Sequence, residues 1–167
     1  SLSREILVPF CPESKLSGIA HTDFINAVCY RKKIQISEND LDGRLFLHFG
    51  AVDYESYIYV NHKEVYHNIG GFVGFDIDIT NYVNKGEENV ITVCAIDTNP
   101  KGKASGKQSK VYYSQGCDYT RTTGIWQTVW MECVDKCYVK NVKMTPDIDT
   151  PSVYMDFDLN GEFVGST

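Results

Sequence analysis

The run Cys117-Asp118-Tyr119-Thr120-Arg121-Thr122-Thr123-Gly124-Ile125-Trp126-Gln127-Thr128-Val129-Trp130 concentrates hydrogen-bonding groups around one glycine and leads into an apolar, strand-like segment. Asp118 can accept hydrogen bonds from sugar hydroxyls, and Arg121 can orient that carboxylate or reach the ligand itself. Tyr119 and Trp126, with Tyr112 and Tyr113 just upstream, offer flat faces to the CH side of a pyranose and a polar tip besides. The same residues have plainer uses. Asp118 and Arg121, three apart in a loop, can brace it as an ion pair, which contributes little where it is exposed. Trp126 and Trp130 can belong to the core, whereas the polar neighbours of Tyr119 suit it better to binding.

Other groups with chemical potential are weaker. His21-Thr22-Asp23-Phe24 places a His and an Asp two apart in a loop, but no nucleophile motif accompanies them, and local loop hydrogen bonding accounts for them. The segment Gly102-Lys103-Ala104-Ser105-Gly106-Lys107-Gln108 is only superficially a phosphate-binding loop: it is one residue short, has Gln where a Mg²⁺-binding hydroxyl belongs, and opens no helix. Its lysines mark a solvated, mobile loop. Sugar hydrolysis by a retaining route needs two carboxylates about 5–5.5 Å apart, and among 22 acids spacing alone selects no pair. The cysteines at 11, 29, 94, 117, 133 and 137 contain no C-x-x-C, and the four histidines do not complete a zinc set. No metal or other cofactor is expected. Most of the cysteines fall in apolar runs, where a thiol packs as a small hydrophobe, so the expectation is reduced cysteines and a cytoplasmic home.

The elements that hold these loops read as strands. Helical periodicity is nearly absent, and short β-branched and aromatic runs recur between Gly, Asn, Asp and Pro. Strands are expected at Glu5–Phe10, Ala27–Ile36, Arg44–Phe49, Ser56–Val60, Lys63–Tyr66, Phe72–Ile79, Asn89–Ile96 and Gly124–Cys133. Tyr57 to Val65 reads as a hairpin turning at Asn61-His62, with Asn61 supplying positive φ. Eight strands in this span imply an all-β fold, two packed antiparallel sheets of jelly-roll type. The Gly124–Cys133 strand has large apolar groups on both faces, so a second cover beyond the core is expected.

A boundary is expected near residues 136–137. Beyond it, Val139–Met144 and Ser152–Leu159 are strand patterns, and Asn160-Gly161 signals a further turn shortly before Thr167. Two strands and a started third enclose no core, so residues 137–167 read as the beginning of a second, truncated sandwich. A net charge of −6 argues against nucleic acid and anionic membranes as partners, and no run reaches the length of a membrane span.

The pattern D-x-x-R-x-[ST]-G-I-aromatic at Asp118–Trp126 resembles the closing segment of the N-terminal sugar-binding domain of glycoside hydrolase family 2, the β-galactosidase and β-glucuronidase family. Further anchors follow in order: Val8-Pro9-Phe10-Cys11-Pro12-Glu13-Ser14, His48-Phe49-Gly50-Ala51-Val52-Asp53-Tyr54, Val60-Asn61-His62-Lys63 and Gly70-Gly71-Phe72 through Thr80. The likeness covers most of residues 6–134. It departs at Cys29, where a larger aromatic is common, and in the Lys-rich loop after Asn99, which is longer than usual. The resemblance implies a jelly roll followed by an immunoglobulin-like sandwich and a (β/α)₈ barrel that holds both catalytic glutamates. It implies that this domain has no catalytic residue and forms one wall of a pocket through Asp118, Tyr119 and Arg121, with Asn26 contributing from the loop before the Ala27 strand. The partners implied are a β-galactoside or related glycoside and the remaining domains of the parent enzyme, with a homo-oligomer open. Two alternatives remain on the same residues: an independent carbohydrate-binding module, or a β-sandwich used for structural or protein contacts.

Overall fold

The computed structural model describes residues 4–37, 42–98 and 102–161. Eleven strands are found among them: β1 Ala27–Gln35, β2 Arg44–Phe49, β3 Val52–Asp53, β4 Glu55–Val60, β5 Lys63–Ile69, β6 Phe75–Asp78, β7 Glu88–Ile96, β8 Gly124–Ile125, β9 Val129–Val134, β10 Tyr138–Asp147 and β11 Ser152–Asn160. One sheet runs β1-β7-β4-β5 and a second β6-β2-β9, all antiparallel; β3 and β8 form a short pair of their own. The core of this β-sandwich follows the period-two alternation of its strands. Leu45, Leu47 and Phe49 of β2 and Phe75 and Ile77 of β6 meet Ile58 and Val60 of β4 and Ile91, Val93 and Ala95 of β7.

The β4–β5 turn is as expected. Asn61 and His62 both have positive φ, 50° and 68°, the pairing that a two-residue hairpin of this twist requires. Asn61 has a second task, donating to the side chain of Asn89 at 2.6 Å and accepting from Val90 N–H at 2.9 Å. Fully buried Asn89 in turn bonds the main chain of Asn84 and Glu87. Its amide is fully used, which is what allows a polar group there.

Several expectations are corrected. Glu5–Phe10 is not a strand but an irregular strap: Leu7 N–H donates to Ser17 O at 2.9 Å and Phe10 N–H turns back to Leu7 O at 3.1 Å. Pro9 removes a donor that a ladder would need. The Phe72–Ile79 strand shortens to Phe75–Asp78, and Gly124–Cys133 breaks into β8 and β9. At the break the Trp126 indole N–H donates to Gly71 O at 2.8 Å. The cysteines are not all reduced. Cys29 and Cys94 face each other across β1 and β7 and are disulfide-bonded, with Cα atoms 4.1 Å apart; the other four are thiols. That pairing removes the cysteine-based argument for a reducing compartment.

The two later strand patterns form one hairpin, β10 with β11. It leaves Val139, Met144, Val153, Met155, Phe157 and Leu159 exposed, and touches the sandwich through Tyr138, whose ring meets Phe46 edge-on at 5.6 Å. The strand expected after Asn160-Gly161 lies outside the described residues. On β9, Trp130 stacks on His48 at 4.8 Å yet remains half exposed.

Candidate functional site

The site is a cluster of loops at one end of the sandwich, and Gly124 fixes where it begins. Its φ is +77°, and a Cβ there would lie 2.3 Å from the Tyr30 hydroxyl, so only glycine fits. Tyr30 uses the space: its hydroxyl accepts from Ile125 N–H at 3.1 Å, and burial pushes its pKa up. One residue earlier, buried Thr123 donates its N–H to Glu13 Oε2 at 3.3 Å, tying the N-terminal strap to the entry of β8. The Thr120–Thr123 segment is thus held from below before any loop packs on it.

Arg121 is 9% exposed. Its guanidinium donates to the main-chain carbonyls of Thr22, Val111 and Ser109, the last at 3.5 Å, and lies 3.9 Å over the Phe24 ring. The expectation that it orients Asp118 is therefore corrected. No Asp118–Arg121 ion pair occurs among the described residues, and the two terminal nitrogens are occupied by carbonyls. Bracing is what Arg121 does, but of three loops rather than one carboxylate. Phe24, which meets Tyr112 edge-on at 5.0 Å, completes this joint, and Asp23 caps its own loop through Phe24 N–H at 2.6 Å.

Asp118 sits in a tight turn, its N–H donating to Gln115 O at 2.9 Å and its carbonyl accepting from Gln115 N–H at 3.2 Å. The backbone holds the loop, and the side chain stays partly exposed. Tyr119, 67% exposed, is fixed by its main chain between Lys107 O and Ser109 N–H, both at 2.7 Å. Asn26 is exposed and accepts at its carbonyl from Asp97 N–H at 2.8 Å. Its loop reaches the Asp118 loop through the shared Arg121 joint. Tyr112 and Tyr113 are exposed on the same group of loops.

Four residues here escaped sequence reasoning. Asp53, 2% exposed, accepts from Gln108 Nε2 at 2.7 Å, and Gln108 Oε1 accepts from Thr122 N–H at 3.0 Å. A relay thus runs from β3 through the Lys-rich loop to the Thr120–Thr123 segment. Burial raises the Asp53 pKa against the opposing pull of Gln108 and Lys103. Lys103 is also far from a solvated lysine. Its side chain is 10% exposed and pairs with Asp97, it lies over the Tyr54 ring, and burial lowers its pKa. The reading of this loop as solvated and mobile is corrected at Lys103, Gln108 and Ser109. Phe24 lay inside a motif weighed for other reasons, and Asp53 inside a family anchor; neither carried a local signal of its role.

Beside Tyr119 opens a cleft of about 140 Å³, lined by Asp53, Phe72, Gln108, Tyr119, Thr122 and Trp126 among others. No cluster of three or more potential metal ligands occurs among the described residues.

The family model described as "Glycosyl hydrolases family 2, sugar binding domain" matches residues 18–143. A β-galactosidase of Thermoanaerobacter pseudethanolicus is 28% identical over 121 residues, 71% of this chain and 15% of its own length. Among solved structures, a β-glucuronidase of an uncultured Clostridium sp. superposes with a TM-score of 0.63 at 28% identity, covering 83% of this chain and 25% of that one. The β-glucuronidase of Faecalibacterium prausnitzii gives a TM-score of 0.69 at 20% identity, over 93% of this chain and 30% of that one, a likeness of fold. The chain spans about one seventh of the length of the curated relatives it matches.

Proposed function

The chain belongs to the sugar-binding domains of glycosyl hydrolase family 2, and from that premise we propose that it is the non-catalytic N-terminal domain of a retaining β-glycosidase, forming one wall of the active-site pocket. The carrying observation is Asp118: a partly exposed carboxylate on a loop whose own backbone bonds, and whose anchoring through Arg121, hold it without using its oxygens on a protein cation. A carboxylate so presented can accept two sugar hydroxyls, each a charge-assisted bond contributing about 1.5–3 kcal/mol. Tyr119 beside it offers a ring face, and Asn26 a polar group from the neighbouring loop. Arg121 is a positioning residue in this reading. The hydrolysis itself is assigned to groups supplied by the rest of the parent enzyme, and β10–β11, with its uncovered apolar faces, to the next domain, beginning near residue 137.

A single wall offers few contacts and no enclosure, so the isolated chain should bind methyl β-galactoside in the millimolar range or weaker, about −4 kcal/mol or less. It should not hydrolyse chromogenic β-glycosides. Calorimetry and a hydrolysis assay test both. Micromolar binding lost in Asp118→Ala would identify an independent binding module instead, and turnover that survives purification would show that the catalytic assignment is wrong.

A further inference from the structure

The cleft beside Tyr119 has a composition that the Asp118 wall does not explain. Asp53 lines it almost wholly buried; one carboxylate oxygen is satisfied by Gln108, and the other, Oδ1, is buried with no hydrogen-bond partner. Such an acceptor is costly unless something donates to it. Gly71 lies against that oxygen: a Cβ at 71 would come within 2.5 Å of Oδ1, so the carboxylate keeps its place only because residue 71 has no side chain. The walls are aromatic. Phe72 is 51% exposed and meets Trp126 edge-on at 6.1 Å, while the Trp126 indole is pinned to Gly71 O. Tyr119 closes another side, and Thr120 and Thr122 also line the cleft.

We propose that this cleft is a second carbohydrate subsite, taking one neutral ring of a β-linked glycan next to the ring held at Asp118. The chemistry selects the class. Asp53 is the only acid among the described lining residues, too little for Ca²⁺ or Mg²⁺, which take six or more oxygens. An anion would meet that carboxylate as well as Lys107, with no net positive charge in the described lining to hold it. A polyol suits both halves of the site: its hydroxyls pair with the polar lining around Asp53, and its CH face covers an aromatic ring. The cleft and the Asp118 loop are contiguous in the chain, since Tyr119 and Thr120 line the one and follow the other directly. The proposal rests on the wall reading for the neighbouring ring and extends it.

The test is a ¹H–¹⁵N titration of the 167-residue chain with lactose, cellobiose and gentiobiose. The indole N–H of Trp126 reports the cleft and the amide of Asp118 reports the wall. At least one disaccharide is expected to move the Trp126 indole and the Gln108 side-chain amide. Phe72→Ala, a change at an exposed ring, should weaken that response about fivefold through loss of one stacking face and leave the Asp118 response intact. A Trp126 indole that stays still up to about 100 mM of all three sugars, well past the millimolar range of a half-built site, overturns the subsite whatever Asp118 does. A still Asp118 amide with a moving indole overturns the wall reading and leaves the subsite standing.

Discussion

Replacing Arg121 by Lys separates a brace from a ligand group. The guanidinium serves three carbonyls, those of Thr22, Ser109 and Val111, from a site 9% exposed. Lysine keeps the charge but not the planar fork, so it can retain one of these bonds. Two charge-assisted bonds are lost at about 1.5 kcal/mol each, which puts the cost of Arg121→Lys at about 3 kcal/mol. With a urea m-value of about 2 kcal/mol/M for a chain of this size, the midpoint should fall by about 1.5 M. Thermal unfolding should drop by about 6–12 °C. Urea denaturation followed by Trp fluorescence measures the first and calorimetry the second. Amide exchange near Thr22 and Val111 should also quicken as the loops part. If Arg121→Lys unfolds within about 0.5 kcal/mol of the parent, as changes at ordinary surface sites do, and sugar binding falls instead, the bracing argument is refuted and Arg121 is a ligand residue.

Asp53→Asn keeps an acceptor for Gln108 and removes a buried charge. The folded-state pKa of Asp53 is raised above its ordinary 3.8 by burial, so the acid's stabilising contribution is complete below 3.8 and is lost as pH rises through the raised value. The Asn variant should therefore gain on the parent between those two points and hold a constant advantage above them, measured as urea stability against pH; a gap that narrows as pH rises contradicts the assignment. Thiol titration of the unfolded, non-reduced chain should find four thiols rather than six, with Cys29 and Cys94 silent; six would show that the pair is not formed in solution. Deleting residues 138–167 should leave the sandwich folded and reduce self-association, because the β10–β11 hairpin presents open edges and apolar faces. Loss of cooperative unfolding in that deletion would place the hairpin in the first core.

What could be read in advance was what lies close in sequence. Short β-branched and aromatic runs bounded by turn residues located β1, β2, β4 and β7 almost to the residue, and Asn61-His62 announced its turn, because both signals are carried by neighbouring side chains. Pairings between distant segments were not legible. β3 and β8 are two residues each and exist only through the register Val52 opposite Ile125. Cys29 and Cys94 meet only once β1 and β7 are aligned, 65 residues apart. Arg121 misled for the same reason: its nearest acid in sequence was Asp118, whereas one of its partners, the Thr22 carbonyl, lies 99 residues away. Gln108 looked like part of a solvated loop because nothing local reveals that its amide closes on Asp53.

The joint at Arg121 has an evolutionary consequence. Its acceptors are main-chain oxygens, and a peptide carbonyl is present whatever side chain follows. Positions 22 and 111 can therefore vary while the clamp keeps its shape, so the loops it joins are free to drift in sequence without drifting in space. The face these loops build can then be re-tailored by changing what they display, with a single arginine preserving how they are held.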